Sequence, residues 1–266
     1  MDPQAINQNM IPQPELWRCA MEINAGSIEV ALFPPVATER VIHTTIQLNP
    51  EAPYHEKSVQ EAFYANPFLL SDFKAVDVLF GCDSAMFVPS AVTAQAGVEA
   101  VYSAGGGETG GKKILDCALP GDMVLVYAVD AGLYGFVRRT FFNVRVAHRL
   151  APLVSRALNT PAVLAVVESG RLDIVATAES RLFLARSLRY RTPQDATYYI
   201  IAARKSLGLP ADVPLSLAGA GDDAQTVAGY LSRYCETPQP VAPPQLAAVL
   251  DKDSAAMPQS LLALLS

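Results

Sequence analysis

The stretch Cys19-Ala20-Met21-Glu22-Ile23-Asn24-Ala25-Gly26-Ser27-Ile28-Glu29-Val30-Ala31-Leu32-Phe33 decides the fold. It reads as an apolar strand, a polar residue, a small residue, a glycine, and a second alternating strand. The pattern returns at Ala162-Val163-Leu164-Ala165-Val166-Val167-Glu168-Ser169-Gly170-Arg171-Leu172-Asp173-Ile174-Val175-Ala176. A third element, Leu215-Ser216-Leu217-Ala218-Gly219-Ala220-Gly221, closes a strand on a Gly-rich turn.

Outward from these landmarks the chain parses into alternating elements. Strands are expected at Trp17–Ile23, Ser27–Phe33 and Arg40–Leu48, with Pro34-Pro35 ending the second. Glu56–Ala65 places Val59, Ala62 and Phe63 at helical spacing. Ala75–Phe80 reads as a central strand, and Pro89 opens a helix running to about Val98. Ser103–Lys113 reads as a Gly-rich loop, and Met123–Val129 as a buried strand. A helix over Leu133–Phe141, a strand at Asn143–Ala147 and a helix at His148–Leu158 complete the first half. The second half restarts with strands 162–168, 171–178 and 180–188. A helix over 193–207, capped by Thr192, a strand at 213–218 and a helix at 222–234 follow.

The order β-β-β-α-β-α thus occurs in both halves, the sign of a duplication around a cleft. Three successive strands followed by alternating strands and helices imply a mixed sheet. The expected organisation is a flexible arm over 1–15, one lobe over 16–160 and a second over 161–236. A proline-rich linker and a short C-terminal helix occupy 237–266. No large insertion stands out in the first half.

Bulk properties narrow the function classes. The 266 residues are 51% hydrophobic and 17% charged, the balance of a globular chain, not a disordered one. The net charge of −6 argues against nucleic acid or an anionic membrane as the main partner. The N-terminus has neither the basic nor the apolar region of a secretory signal, and no apolar run is long enough to span a bilayer, so a cytoplasmic protein is expected. Cys19, Cys82, Cys117 and Cys235 form no metal-binding or redox pair and read as free thiols.

With these elements in place, the chain resembles the actin-like ATPase superfamily, and its layout is similar to the type IV pilus assembly and cell-division actin relatives. The run Val78-Leu79-Phe80-Gly81, then Met86-Phe87-Val88-Pro89, with His148 ending the first half, resembles an uncharacterised domain-of-unknown-function family of Bacteroidetes. The resemblance implies an α/β fold with two ribonuclease-H-like lobes, each a mixed five-stranded sheet flanked by helices. It also implies a cleft site for ATP and magnesium. In the superfamily the first turn is D-x-G-[TS]; here it is Asn24-Ala25-Gly26-Ser27, and the neutral Asn24 replaces the carboxylate that Mg²⁺ prefers. Glu29 adds a negative charge where a phosphate would sit. The second turn, D-x-G in active members, is Glu168-Ser169-Gly170, whose acid reaches one methylene further. Gly219 and Gly221 match the adenosine motif, with Asp222 and Asp223 at the next helix start.

Two readings remain open from sequence. One is a degenerate nucleotide site in a cytoplasmic interaction module with an unknown protein partner, and no nucleic acid or membrane insertion. The other is a divergent ATPase or sugar-kinase-like phosphotransferase, with Glu168 in the metal or water role, Gly26 and Ser27 at the phosphates, and Gly219 and Gly221 at the adenosine. Asn24, Ser169 and Gly170 would complete that cofactor set. Other chemistries lack a constellation. Gly106-Gly107-Glu108-Thr109-Gly110-Gly111-Lys112 imitates a phosphate loop, but Lys113 stands where a hydroxyl is required. His43, His55 and His148 have no ligand spacing, and Arg171 reads as a phosphate contact in the nucleotide reading or, more commonly for a hairpin arginine, as a solvated residue.

Overall fold

The computed structural model describes residues 6, 10–36, 40–82, 84–159, 163–168, 170–178, 181–209, 213–219, 221–234, 238–241 and 257–265. In the first half, β1 (Arg18–Ile23), β2 (Ser27–Phe33) and β3 (Ile42–Gln47) form an antiparallel meander. After α1 (His55–Ala65), β4 (Ala75–Phe80) lies parallel to β1. There follow β5 (Ala85–Pro89), α2 (Ser90–Ala96), α3 (Val98–Ala104), β6 (Lys112–Leu119), β7 (Met123–Asp130) and α4 (Ala131–Thr140). Then β8 (Val144–His148) returns parallel to β4. The first sheet therefore runs β3-β2-β1-β4-β8.

After α5 (Leu150–Asn159) the second half repeats the layout. It comprises β9 (Val163–Glu168), β10 (Arg171–Ala178), β11 (Arg181–Arg189), α6 (Pro193–Ser206), β12 (Leu215–Ala218), α7 (Asp222–Tyr234) and β13 (Gln239–Pro240). Its sheet runs β11-β10-β9-β12-β13, again three antiparallel strands followed by parallel ones. A four-residue helix, α8 (Gln259–Leu262), precedes a 3₁₀ turn at Ala263–Leu265. Residues 242–256, where the linker is expected, lie outside the described residues. No helix among the described residues is long and apolar enough to cross a membrane.

Three sequence expectations are corrected. The helix foreseen from Pro89 is two short helices broken at Gly97, because Gly97 takes a positive φ of 83° that ends the first. The Gly-rich stretch closes sooner than expected, and Lys112 and Lys113 begin β6. That strand pairs with β7, and β5 pairs with the other edge of β7, giving a third, three-stranded sheet. The first half thus does carry an insertion, between β4 and β8. Its strand β6 opens on Lys112-Lys113 and carries Asp116 and Cys117 among apolar residues, so it lacks the apolar run that marks β4 and β9.

Strand parity sorts the core. On β1, Cys19, Met21 and Ile23 face α1 and α4, where Val59, Phe63, Leu133 and Phe136 close the core. Phe63 meets Phe136 edge-on with ring centroids 5.3 Å apart. The opposite face of this sheet presents Ala20, Ala31, Phe33 and Leu79, which α8 covers with Leu261 and Leu262. In the second sheet, Val163, Ala165 and Val167 pack under α6 and α7. Leu164, Val166 and Val175 face α5, whose Leu153 and Val154 also reach Leu125 of the small sheet. So α5 and α8 sit between the two large sheets, while α1, α4, α6 and α7 form the outer layers. Phe63→Ala is expected to lower the unfolding free energy by about 3–5 kcal/mol. Tyr64→Ala, at a side chain 68% exposed, should stay within about 0.5 kcal/mol; urea titration of both variants checks the contrast.

Candidate functional site

Parity also places the acids. Glu22 shares the inner face of β1 with Ala20, Glu168 ends β9 on the face of Leu164 and Val166, and Asp173 shares the inner face of β10 with Val175. All three converge on Arg149, the residue between β8 and α5, whose side chain is 2% exposed. Arg149 Nη1 donates to Glu22 Oε1 at 2.6 Å, and Nη2 donates to Glu168 Oε2 at 2.5 Å. Asp173 Oδ2 lies 2.8 Å from the same Nη2. Ser260 of α8 donates to the other oxygen of Glu22, and Ser187 of β11 donates to Asp173 Oδ1. The Gln259 N–H donates to Glu168 Oε1 at 3.2 Å.

Three carboxylates surround one guanidinium, so charge does not balance. Burial pushes the Glu22 carboxyl above its usual range; Arg149 opposes that shift and Glu168 adds to it. Burial likewise raises Asp173, against Arg149 and the Ser187 hydrogen bond. For Arg149, burial favours the neutral form, but Glu22, Asp173 and Glu168 together overcome it and raise its basicity.

A second arginine crosses between the halves. Arg171, at the start of β10, donates from Nη1 to Asn24 Oδ1 at 2.8 Å and from Nη2 to the Gly81 carbonyl at 2.7 Å. The expectation of a solvated hairpin residue is therefore corrected: the turn between β9 and β10 faces the turn between β1 and β2, and a long forked donor reaches across. A Cβ at Gly81 would overlap Asn24 Oδ1 and crowd Arg171 Nη1, so glycine there admits the bridge. His55 completes the turn, with Nε2 3.0 Å from the Asn24 carbonyl.

Most of the sequence-predicted residues come together. Asn24, Gly26, Ser27, Glu168, Gly170 and Gly219 border one cavity of about 440 Å³ between the sheets, together with Arg149 and Arg171. Gly221 does not border it, and Ser169 lies outside the described residues. A Cβ at Gly219 would strike the Val167 carbonyl, and its φ is 141°. This glycine is thus required by the chain's own strand packing. Ser27 Oγ donates to Glu29 Oε1 at 3.3 Å, and Glu29 also accepts from Thr45 at 2.7 Å. Asp223 accepts from the Tyr190 hydroxyl at 2.7 Å. His148 is buried, with Nδ1 accepting the Leu150 N–H and Nε2 facing the Cys82 carbonyl, so both ring nitrogens serve the fold. Burial raises the Cys19 thiol and pushes the Cys117 thiol up to about 11, which leaves both inert near neutral pH.

Sequence reasoning quoted Glu22 and Asp173 without assigning them, and it passed over Arg149. A signal existed: each acid interrupts an apolar strand at a position whose neighbours in parity are buried.

A family of proteins of unknown function, DUF3822, matches residues 22–237. The chain belongs to that family. Among solved structures it is similar to a Bacteroides thetaiotaomicron protein with an actin-like ATPase fold and unknown function. The two share 15% identity with a TM-score of 0.80, over 95% of this chain and 96% of that one. It is also similar to a chain of the PilM–PilN type IV pilus biogenesis complex, at 12% identity with a TM-score of 0.55, over 96% and 98% of the two chains. These likenesses establish the actin-like ATPase fold. No curated protein matches the chain.

Removing the central cation should be costly. Arg149→Met leaves three inward-facing acids uncompensated and is expected to destabilise by about 3–5 kcal/mol in chemical denaturation. The pH dependence follows from Glu22 and Asp173, both raised in the folded state. Such groups hold extra protons when folded, so their contribution is complete below about pH 4 and is lost as pH rises through the raised values. Glu22→Gln should therefore flatten the fall in stability as pH rises above about 4 relative to the unaltered chain; urea midpoints across a pH series measure it.

Proposed function

We propose that this chain is an actin-like module with a degenerate nucleotide site, working in the cytoplasm as an interaction or scaffold protein and not as a phosphotransferase. One observation carries the reading: Arg149 occupies the centre of Glu22, Glu168 and Asp173. Mg²⁺ takes an octahedral set of oxygen ligands and favours carboxylates. Here the acid of the second turn is already bound by a guanidinium and a backbone N–H, and Asn24 is neutral and held by Arg171. These residues do not fit a magnesium nucleotide, and no catalytic step is assigned to them. The three free thiols among the described residues, Cys19, Cys82 and Cys117, suit a reducing compartment. The likeness to a chain of the PilM–PilN complex supports a role in protein association.

The remaining cavity favours a second reading, a divergent ATP-binding phosphotransferase, because Gly26, Ser27, Gly170 and Gly219 still border about 440 Å³ of open space. Calorimetry with ATP and Mg²⁺ separates the two. The expected outcome is no saturable heat up to millimolar nucleotide, with or without metal. Micromolar binding that disappears in Gly170→Trp would overturn the degenerate-site reading. Arg171→Ala alone is not expected to restore binding, since Arg149 still holds Glu168.

A further inference from the structure

The C-terminal segment is held to the body by a few side chains. Its helix α8 has four residues, too few to persist without tertiary contacts. Met257, Leu261 and Leu262 are buried against Ala20, Ala31, Phe33 and Leu79 of the first sheet. Ala263 joins the cluster of Leu150 and Leu153 on α5. Two acids anchor the first turn: Ser260 donates to Glu22, and the Gln259 N–H donates to Glu168 at 3.2 Å. The N–H groups of Leu261 and Leu262 turn back on the segment itself, to the Pro258 carbonyl.

The same segment forms a wall of the cavity between the sheets, which Met257, Pro258 and Gln259 border. Beneath it lies a groove with an apolar floor of Ala20, Ala31, Phe33 and Leu79 and two carboxylates, Glu22 and Glu168, at its head. Such a surface suits a short apolar helix with a hydroxyl and a free N–H in its first turn. Positions 242–256 join the segment to Val241. A chain of that length can extend about 50 Å, so covalent attachment alone does not fix the segment in the groove. Docking buries a handful of apolar side chains and orders every residue from Met257 to Leu265, and these two effects are opposed and of similar size. The docked and released states therefore lie closer in free energy than the folded and unfolded sheets.

We infer that Met257–Leu265 is a tethered ligand, a releasable strap that fills a peptide-docking groove on the inner face of the first sheet. The occupant in trans is the same segment of a second copy, because it offers the same apolar side chains and the same Ser260 hydroxyl; exchange of an identical element is a low-cost route to association. The inference deepens the interaction-module reading and rests on it.

Hydrogen exchange on the unaltered full chain reads the release directly. Amides of Gln259–Leu265 are expected to exchange about a hundredfold faster than those of Met21 and Val166 in β1 and β9. A labelled peptide of residues 257–266, followed by fluorescence anisotropy, tests the groove. Leu261→Asp in the full chain loosens the strap in place. This variant should take up the peptide saturably and about tenfold more tightly than the unaltered chain, whose own strap competes. A peptide that itself carries Leu261→Asp should bind about tenfold more weakly. If Leu261→Asp unfolds the chain, Leu262→Ala, which buries no charge, takes its place with the same expectations. The inference is overturned if the strap amides exchange no faster than those of Met21 and Val166, if the folded variant does not saturate with peptide, or if both peptides bind alike. These measurements contain no ATP or Mg²⁺, so their failure is distinguishable from failure of the degenerate-site reading, which nucleotide calorimetry decides.

Discussion

A single guanidinium holds the two large sheets in register. Arg149 stands where the last strand of the first sheet passes into the helix that packs against the second, so its backbone belongs to both halves. Its side chain then meets Glu22 from β1, Glu168 from β9 and Asp173 from β10. A fork of fixed geometry suits this position better than an ammonium would, because it can address acids from different strands at once. Desolvating these charges is expensive, and the pairing is incomplete, because three acids share one guanidinium whose Nε has no hydrogen-bond partner among the described residues. The Ser260 and Ser187 hydroxyls donate to the carboxylate oxygens of Glu22 and Asp173 that Arg149 does not engage.

This constraint orders the rest of the cleft. Widening the gap between the sheets must draw Glu22 from Arg149, or Arg149 from Glu168 and Asp173. It must also draw Arg171 from Asn24 and Gly81. The Arg149 set lies on the inner faces, where an unpaired charge is most costly, whereas the Arg171 set is half-buried at the turns that border the cavity. The α8 segment adds an apolar seal, with Met257, Leu261 and Leu262 buried against the inner face of the first sheet. Pairing of charge, a bridging arginine and a hydrophobic seal act on the same gap between the sheets.

The same geometry divides the open space in two. The Asn24-Ala25 turn separates a polar cavity between the sheets from an apolar one beside α1 and α4. The first is bordered by residues that already satisfy one another. The second has an apolar floor of Ile23, Phe80, Val129 and Leu133, with Lys112 and Asp130 facing each other at its rim.

Much of the architecture was legible in the amino-acid order. Alternation with period two around Gly26 and Gly170, and apolar spacing of three and four in the helices, determined the two mixed sheets and their flanking layers. The neutral Asn24 and lengthened Glu168 were equally plain. The third sheet was not, because β6 mixes charge into its alternation and follows a glycine-rich stretch that resembles a loop. Nor was the role of Arg149, Arg171, Glu22 and Asp173. Sequence alone determined most strands of the two large sheets and which way their side chains face. Only the tertiary structure decided that acids separated by as many as 151 positions, from Glu22 to Asp173, meet one arginine, because that convergence depends on how two sheets are set against each other, which no local pattern encodes.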